Sequence, residues 1–130
     1  MDLAPLRSAV QEMGLNSVLP YLAGAAGWTF VNSLMEEYVY RWFIYRQCET
    51  LMKGPAAVVA SAAIFTAHHV IAVNQYLDLR FTILASAGVF AGGVVWSVLY
   101  LRYRSIWPCW ISHVMADLAV FGVGWYLLFG

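Results

Sequence analysis

Hydrophobic residues follow one another along this chain in long runs that contain no charged side chain. Three runs lack Asp, Glu, Lys and Arg altogether, namely residues 13–35, 54–77 and 81–101. A fourth run, residues 105–130, is interrupted by Asp117 alone. A helix needs about 20 apolar residues to cross roughly 30 Å of hydrocarbon. The pattern therefore predicts the all-α class, as a polytopic transmembrane helix bundle with about four spanning helices.

Polar and helix-breaking residues set the predicted ends of these helices. Lys53-Gly54-Pro55 forces a tight connection after the first helix, and Pro108 is tolerated in the first turn of the last. In the third helix, Gly88 and Gly92 have the spacing that lets two membrane helices approach closely. The predicted helices lie at about 18–50, 56–76, 81–101 and 107–129.

The N-terminal segment differs from the rest of the chain, because Asp2, Arg7 and Glu12 punctuate it. No cleavage-site pattern follows an apolar core there, so residues 1–16 are predicted to be an amphipathic lead-in rather than a signal peptide. Together with the helices, this segment is expected to form a single membrane domain over residues 1–130.

The composition agrees with a lipid environment. Hydrophobic residues make up 62% of the chain, charged residues make up 11%, and the mean hydropathy is +0.69. An average soluble domain has about 25% charged residues. The net charge is zero and the seven cations form no basic stripe, so nucleic acid is not expected as a partner. Cys48 and Cys109 are too few for a disulfide framework or a thiolate metal site.

Basic residues predict how this integral, multi-pass protein is oriented. The connections at 46–53 and 101–105 carry more cations than the opposite side of the bundle, which has only Arg7 and Arg80. Under the positive-inside rule, both connections are therefore expected in the cytoplasm. The cations concerned are Arg46, Lys53, Arg102 and Arg104.

Ionisable residues also lie inside the hydrophobic segments, where each costs at least roughly 2.5 to 3.5 kcal/mol and so needs a partner or a task. Glu37 and Arg41 are four residues apart and are expected to pair on one helical face. That pairing leaves Glu36, about 100° around the helix, free to point elsewhere.

Histidines occur in the second and fourth predicted helices. His69 lies in the middle of the second, and the neighbouring His68 is expected to be structural or pore-lining. In the fourth helix, Asp117 is one turn from His113 and is expected to hold its imidazole and fix its tautomer.

Depth along the helices indicates which of these groups can meet. Counted from the cytoplasmic ends near Thr50 and Pro55, Glu36 and His69 each lie 14 residues inward, or about 21 Å at 1.5 Å per residue. The same rise places His113 and Asp117 only roughly 9 to 15 Å inward. Glu36 and His69 are therefore expected to be level, whereas the His113 pair needs a tilt or an earlier helix start.

Three short patterns lie on three separate segments, namely Glu36-Glu37 with Arg41, Phe65 with His69, and His113 with Asp117. In this order they resemble the CAAX protease and bacteriocin-processing family, also called the type II CAAX prenyl endopeptidase family. That family shows EExxxR, FxxxH and HxxxN/D, and Ser105-Ile106-Trp107-Pro108 also precedes the last pattern as is usual there. The resemblance covers residues 28–118.

The chain departs from the family pattern in two ways. Family members commonly have Gly after the arginine, where this chain has Trp42, which is expected to narrow a substrate passage. They also usually have further helices before the first pattern. The expected explanations are a fragment, a minimal member, or a subunit that relies on partners.

The resemblance implies an intramembrane endopeptidase of a bacterial or archaeal cell membrane that hydrolyses a peptide bond in a peptide or protein substrate near the membrane. Glu36, helped by His69, would activate water, and His113 and Asp117 would stabilise the oxyanion or position its donors. Arg41 would keep Glu37 ionised and the local geometry fixed.

The sequence permits two schemes for the cofactor. The reaction uses either no cofactor or one divalent metal such as zinc. For zinc, Glu36, His69 and His113 would fill three positions and leave the fourth for water.

The same residues have structural interpretations. Glu36 and Glu37 can mark the water-exposed end of a shorter first helix. His69 can be a neutral imidazole bonded to the backbone of a neighbouring helix, and His113 with Asp117 a helix-packing hydrogen bond.

The whole chain also has interpretations other than an enzyme. The main alternative is a catalytically inactive family member that acts in the lipid membrane as a scaffold, immunity factor or complex subunit, with other membrane subunits as partners. A small ion or proton pathway would need polar residues along a whole helix, and here they cluster instead.

Overall fold

The computed structural model describes residues 3–130, and over this range it contains helices and turns but no β-strand. A short helix, α1 (Ala4–Glu12), precedes a long helical segment, α2 (18–51). Three further helices follow, namely α3 (Pro55–Val73), α4 (Leu79–Tyr103) and α5 (Ile106–Phe129). The predicted all-α class is confirmed.

Helices α3, α4 and α5 are each long and apolar enough to cross a membrane. Many large hydrophobic side chains on these helices and on α2 are exposed, as expected where lipid is the solvent. The chain is therefore an integral membrane protein with a helix-bundle fold. The fourth predicted span, α2, is not among the helices that meet the same criterion, so it stays a prediction. Examples of the exposed side chains are Leu19, Ile71, Leu84 and Val120.

Segment α2 is continuous but not uniform. Two of its parts are π-helical, namely Gly27–Asn32 and Tyr38–Tyr45. A π turn closes i→i+5 hydrogen bonds, so it holds more residues per turn than an α turn and occurs frequently at functional sites. The pair Glu36-Glu37 lies in the α-helical part Ser33–Glu37, between the two π-helical parts.

Contacts at both ends fix α2 against the other helices. Near its start, the Tyr21 hydroxyl donates to the Phe121 carbonyl of α5 at 2.8 Å. Near its end, Glu49 accepts two hydrogen bonds from the Arg104 guanidinium, at 2.6 and 2.8 Å. This donation from Arg104 lowers the pKa of the Glu49 carboxyl below its usual range. The 46–53 and 101–105 connections therefore lie at the same end of the bundle.

The turn between α3 and α4 differs from the predicted helix ends. Helix α3 ends at Val73 rather than at residue 76, because the N–H groups of Gln75 and Tyr76 bond to carbonyls only three residues back, those of Ala72 and Val73. Helix α4 begins at Leu79 rather than at residue 81, because Asp78 caps it. The Asp78 carboxylate accepts hydrogen bonds from the backbone N–H groups of Arg80 and Phe81, at 3.0 and 3.2 Å.

The prediction of close packing at Gly88 and Gly92 is wrong in its register. A Cβ added at Gly88 would meet nothing within 4 Å, and one at Gly92 would meet the Trp96 ring of its own helix at 3.0 Å. The close approach is at Gly93, where a Cβ would lie 3.3 Å from Cα of Ala62 on α3. Sequence spacing identifies a helix with small residues, but not which face turns to its neighbour.

Candidate active site

A buried ion pair from α2 lies at the centre of the bundle. Arg41 Nε is 3.3 Å from Glu37 Oε2, and both side chains are fully buried at 0% exposure. The Arg41 guanidinium also lies over the rings of Phe65 and Trp96, with its Cζ 4.6 and 5.4 Å from their centroids. Its Nη2 approaches the Gly93 carbonyl oxygen at 3.5 Å. The expected pairing is present, and the aromatic faces compensate part of the desolvation of the cation.

His113 from α5 attaches to this pair. Its Nδ1 is 2.7 Å from Glu37 Oε1, a distance typical of a charge-assisted hydrogen bond. An ionised carboxylate can only accept, so Nδ1 donates. The His113 ring is also stacked on the Trp96 indole, with centroids 4.0 Å apart and planes at 14°. These contacts fix the ring so that Nε2 faces Glu36, whose Oε2 is 3.6 Å away.

Asp117 does not hold His113 in the way that its spacing suggested. Its Oδ1 lies 3.7 Å from His113 Nε2, which is beyond hydrogen-bond distance. The tautomer is fixed instead by Glu37, because α2 packs against α5 here and brings its longer side chain to Nδ1. The second carboxyl oxygen of Asp117 is buried and, within the described residues, has no hydrogen-bond partner.

His69 on α3 is oriented by its own helix. Its Nδ1 lies 3.0 Å from the Phe65 carbonyl oxygen, and because a carbonyl can only accept, this nitrogen donates. In the neutral ring, Nε2 therefore carries the lone pair, and it faces Glu36 Oε1 at 3.9 Å. The structural interpretation of His69 required a hydrogen bond to the backbone of a neighbouring helix. Nδ1 bonds instead to the backbone of its own helix.

Glu36 lies between the two imidazoles. It is 9% exposed, which contradicts the interpretation that the two glutamates mark a water-exposed helix end. Its Oε1 accepts from the Asn32 amide at 3.1 Å and faces His69, while its Oε2 faces His113. Three separate helices thus bring one carboxylate and two imidazole Nε2 atoms together.

The expected mismatch in depth between His113 and Glu36 is not observed. Helix α5 begins at Ile106, close to the predicted start, so an earlier start is not the reason. Tyr38–Tyr45 is π-helical and therefore holds more residues per turn than the uniform α-helix on which the expected depth of Glu36 was based. The end of α2 also runs level with the start of α5, since Glu49 reaches Arg104.

Two cavities meet this cluster. The larger, of about 590 Å³, is mostly apolar and is bordered by His69, His113 and Asp117 at its polar side. The smaller, of about 290 Å³, is bordered by Asn32, Glu36, Tyr40 and His68 among others. The larger cavity thus borders His69 and His113, and the smaller cavity borders Glu36.

Trp42 lies on the exposed surface of α2. It is 42% exposed and stacks on Tyr38, with centroids 4.8 Å apart. Neither cavity at the cluster is lined by Trp42, so the expected narrowing of a passage is not seen there.

Sequence reasoning missed two residues of the site. Asn32 is four residues before Glu36, a spacing that predicts contact on one helix face, so it could have been found. Trp96 carries no such signal, because its contacts to His113 and Phe65 cross between helices. Its indole N–H is held by the Ser112 hydroxyl at 3.3 Å.

The donor atoms fit the chemistry of a divalent metal. His69 and His113 each use Nδ1 in a bond to protein oxygen, the arrangement that leaves Nε2 free to ligate. In the described residues, however, the group whose ligand atoms all lie within 4.8 Å of one another is Glu36, His68 and His69. His113, the third metal ligand predicted from the sequence, is not a member of that group.

Comparison with known families agrees with this geometry. The family model described as type II CAAX prenyl endopeptidase Rce1-like matches residues 18–119, which include every residue of the cluster. No curated protein and no solved structure matches the chain. Since the family model covers most of the sequence, the chain belongs to the type II CAAX prenyl endopeptidase Rce1-like family.

Proposed function

We propose that this chain is an intramembrane endopeptidase, CAAX-processing-like, which hydrolyses a peptide bond near the membrane. The observation that supports the proposal is the convergence of Glu36 with Nε2 of His69 and of His113 from three helices. Family membership supports a CAAX-type protease in general.

Glu36 and His69 are the proposed activators of water. Their facing atoms are 3.9 Å apart and both accept hydrogen bonds, so they do not bond to each other. A water molecule between them can donate one hydrogen to each. In the proposed step, Glu36 takes a proton as the water oxygen attacks the carbonyl carbon, and later returns it to the leaving amine.

His113 and Asp117 are the proposed stabilisers of the oxyanion. With both ring nitrogens protonated, His113 donates from Nε2, while Glu37 and the face of Trp96 stabilise the resulting cation. Asp117 can donate a hydrogen bond to the oxyanion only as a carboxylic acid. The alternative proposed role of Asp117 is to position the donor of His113. Arg41 keeps Glu37 ionised and thereby keeps the ring oriented.

The substrate is proposed to enter through the cavity of about 590 Å³, whose size falls within the range of ligand sites. Its apolar wall suits a peptide that is embedded in lipid. A bacterial or archaeal cell membrane, with the 46–53 and 101–105 connections in the cytoplasm, remains the proposed setting. If a divalent metal such as zinc takes part, the proposed ligands are Glu36, His69 and His113, and it would supply Lewis acidity.

The test is cleavage of a membrane-anchored reporter peptide by purified protein in detergent. Glu36→Gln and His69→Ala are each expected to lower turnover by about 10²- to 10⁴-fold, the range for loss of general base catalysis. Glu12→Gln, an exposed glutamate on α1, is the matched control and is expected to retain full turnover. Equal turnover by wild type and both site variants would refute the proposal and favour a catalytically inactive scaffold, immunity factor or subunit.

A further inference from the structure

His68 lies at the edge of the cluster and has no part in the proposed hydrolysis. It is exposed, and its ring is stacked on Tyr40 from α2, with centroids 5.9 Å apart and planes at 26°. It also contacts the His69 ring edge-on at a centroid distance of 4.8 Å. With Glu36 it borders the smaller cavity of about 290 Å³. His68 thus borders a different cavity from the one that Asp117 lines.

The neighbouring side chains are arranged as metal ligands. Ligand atoms of Glu36, His68 and His69 all lie within 4.8 Å of one another. His69 has its second nitrogen bonded to the Phe65 carbonyl, and Glu36 Oε1 is oriented by the Asn32 amide at 3.1 Å. Such outer hydrogen bonds fix the tautomer and direction of a ligating group.

The distances suit a small transition-metal ion. A tetrahedral zinc ion with bonds of about 2.0 to 2.1 Å keeps its ligand atoms roughly 3.3 Å apart, so these groups need to close by at most about 1.5 Å. Rotation of the exposed His68 side chain can supply most of that movement. Two imidazoles and one carboxylate favour zinc, copper or nickel over magnesium or calcium.

We propose that Glu36, His68 and His69 form a binding site for one divalent transition-metal ion, and that metal binding there competes with water activation. The site shares Glu36 and His69 with the proposed hydrolytic pair, so both groups would be occupied by the ion. It differs from the predicted zinc set, because His68 replaces His113. The binding site stands on geometry alone, whereas the competition rests on the proposed function.

The experiment is a titration of metal-free protein in detergent with Zn²⁺ by calorimetry and with Co²⁺ by visible absorption. Wild type is expected to bind one ion. His68→Gln is expected to weaken binding at least about tenfold, since even loss of an outer partner of a metal ligand typically costs 10- to 100-fold. His113→Gln is the matched control, expected to bind within about threefold of wild type, and Mg²⁺ is expected not to bind.

Hydrolysis of the reporter peptide gives the second readout. Zn²⁺ is expected to inhibit wild type at the concentration at which it binds, and His68→Gln is expected to keep its basal activity but to need at least about tenfold more Zn²⁺ for inhibition. Absence of binding, or binding weakened by His113→Gln but not by His68→Gln, would overturn the site. Binding without inhibition would overturn the competition. If no variant cleaves the reporter, the proposed function fails, while the titration still decides the metal site.

Discussion

The buried carboxylate of Glu37 offers the most informative substitution, because it contacts both Arg41 and His113. Glu37→Gln keeps the shape of the side chain but removes its charge. Arg41, which is fully buried, then loses its counter-ion. Breaking one partner of a buried ion pair typically costs about 3 to 5 kcal/mol of stability.

The same substitution removes the charge-assisted bond of 2.7 Å that holds the His113 ring. Hydrogen bonds to charged groups are worth about 1.5 to 3 kcal/mol. If that energy is lost in the transition state of hydrolysis, turnover falls about 10- to 150-fold. Glu37→Gln is therefore expected to lower both stability and activity.

A double variant separates these two effects. Glu37→Gln with Arg41→Met leaves no unpaired buried charge, so stability is expected to recover to near that of wild type. Activity is not expected to recover, because His113 still lacks its carboxylate. Glu49→Gln is a control with a similar pairing at the surface, where loss of an ion pair costs about 0 to 1 kcal/mol.

The measurements are thermal unfolding in detergent and cleavage of the reporter peptide on the same preparations. If the Glu37→Gln variant unfolded at the wild-type temperature, that result would contradict a stabilising role of the buried ion pair of Glu37 with Arg41. A double variant that regains both stability and turnover would show that Glu37 does not position His113.

Three further predictions concern other parts of the molecule. Asp117→Asn is expected to keep reporter cleavage within about tenfold of wild type because an amide donates hydrogen bonds, whereas Asp117→Ala loses roughly 10²-fold; equal loss in both would exclude a donor role. The ion pair of Arg104 with Glu49 stabilises the fold at neutral pH. This contribution starts to be lost as pH falls below about 4.3, the ordinary pKa of a glutamate, and is fully lost once pH is below the lowered pKa of Glu49. Unfolding temperatures of wild type and Glu49→Gln should therefore converge in acid, and a constant difference would contradict this. Gly93→Leu is expected to cost about 1 to 3 kcal/mol by overpacking, whereas Gly88→Leu, in open space, is expected to unfold like wild type.

The helices and the local pairs could be predicted from the sequence because they depend on residues close together in the chain. Uninterrupted hydrophobic runs indicate membrane helices, and three of them are long and apolar enough to span. The ion pair of Glu37 with Arg41 follows from a spacing of one helical turn. The motif resemblance also points to Glu36, His69 and His113, which the fold brings together.

Contacts between helices could not be predicted, because hydrophobic runs do not determine how helices turn about their axes. The bond from Glu37 to His113 and the stacking of Trp96 on that ring both cross between helices. The contact glycine proved to be Gly93, which requires knowing the face that α4 turns to α3. The π-helical parts of α2, which flank the Glu36-Glu37 pair, also lack a sequence signal.

The convergence of three helices on Glu36 can be measured directly by solid-state NMR in lipid bilayers, with ¹⁵N in histidine rings and ¹³C in glutamate carboxyl groups. Ring nitrogens of His69 and His113 are expected to show short dipolar contacts to Glu36, whose oxygens lie 3.9 and 3.6 Å away. In Glu36→Gln these contacts should vanish, while the 2.7 Å contact of His113 with Glu37 persists as an internal control. A spectrum in which Glu36→Gln removes no contact to either histidine would contradict a shared site.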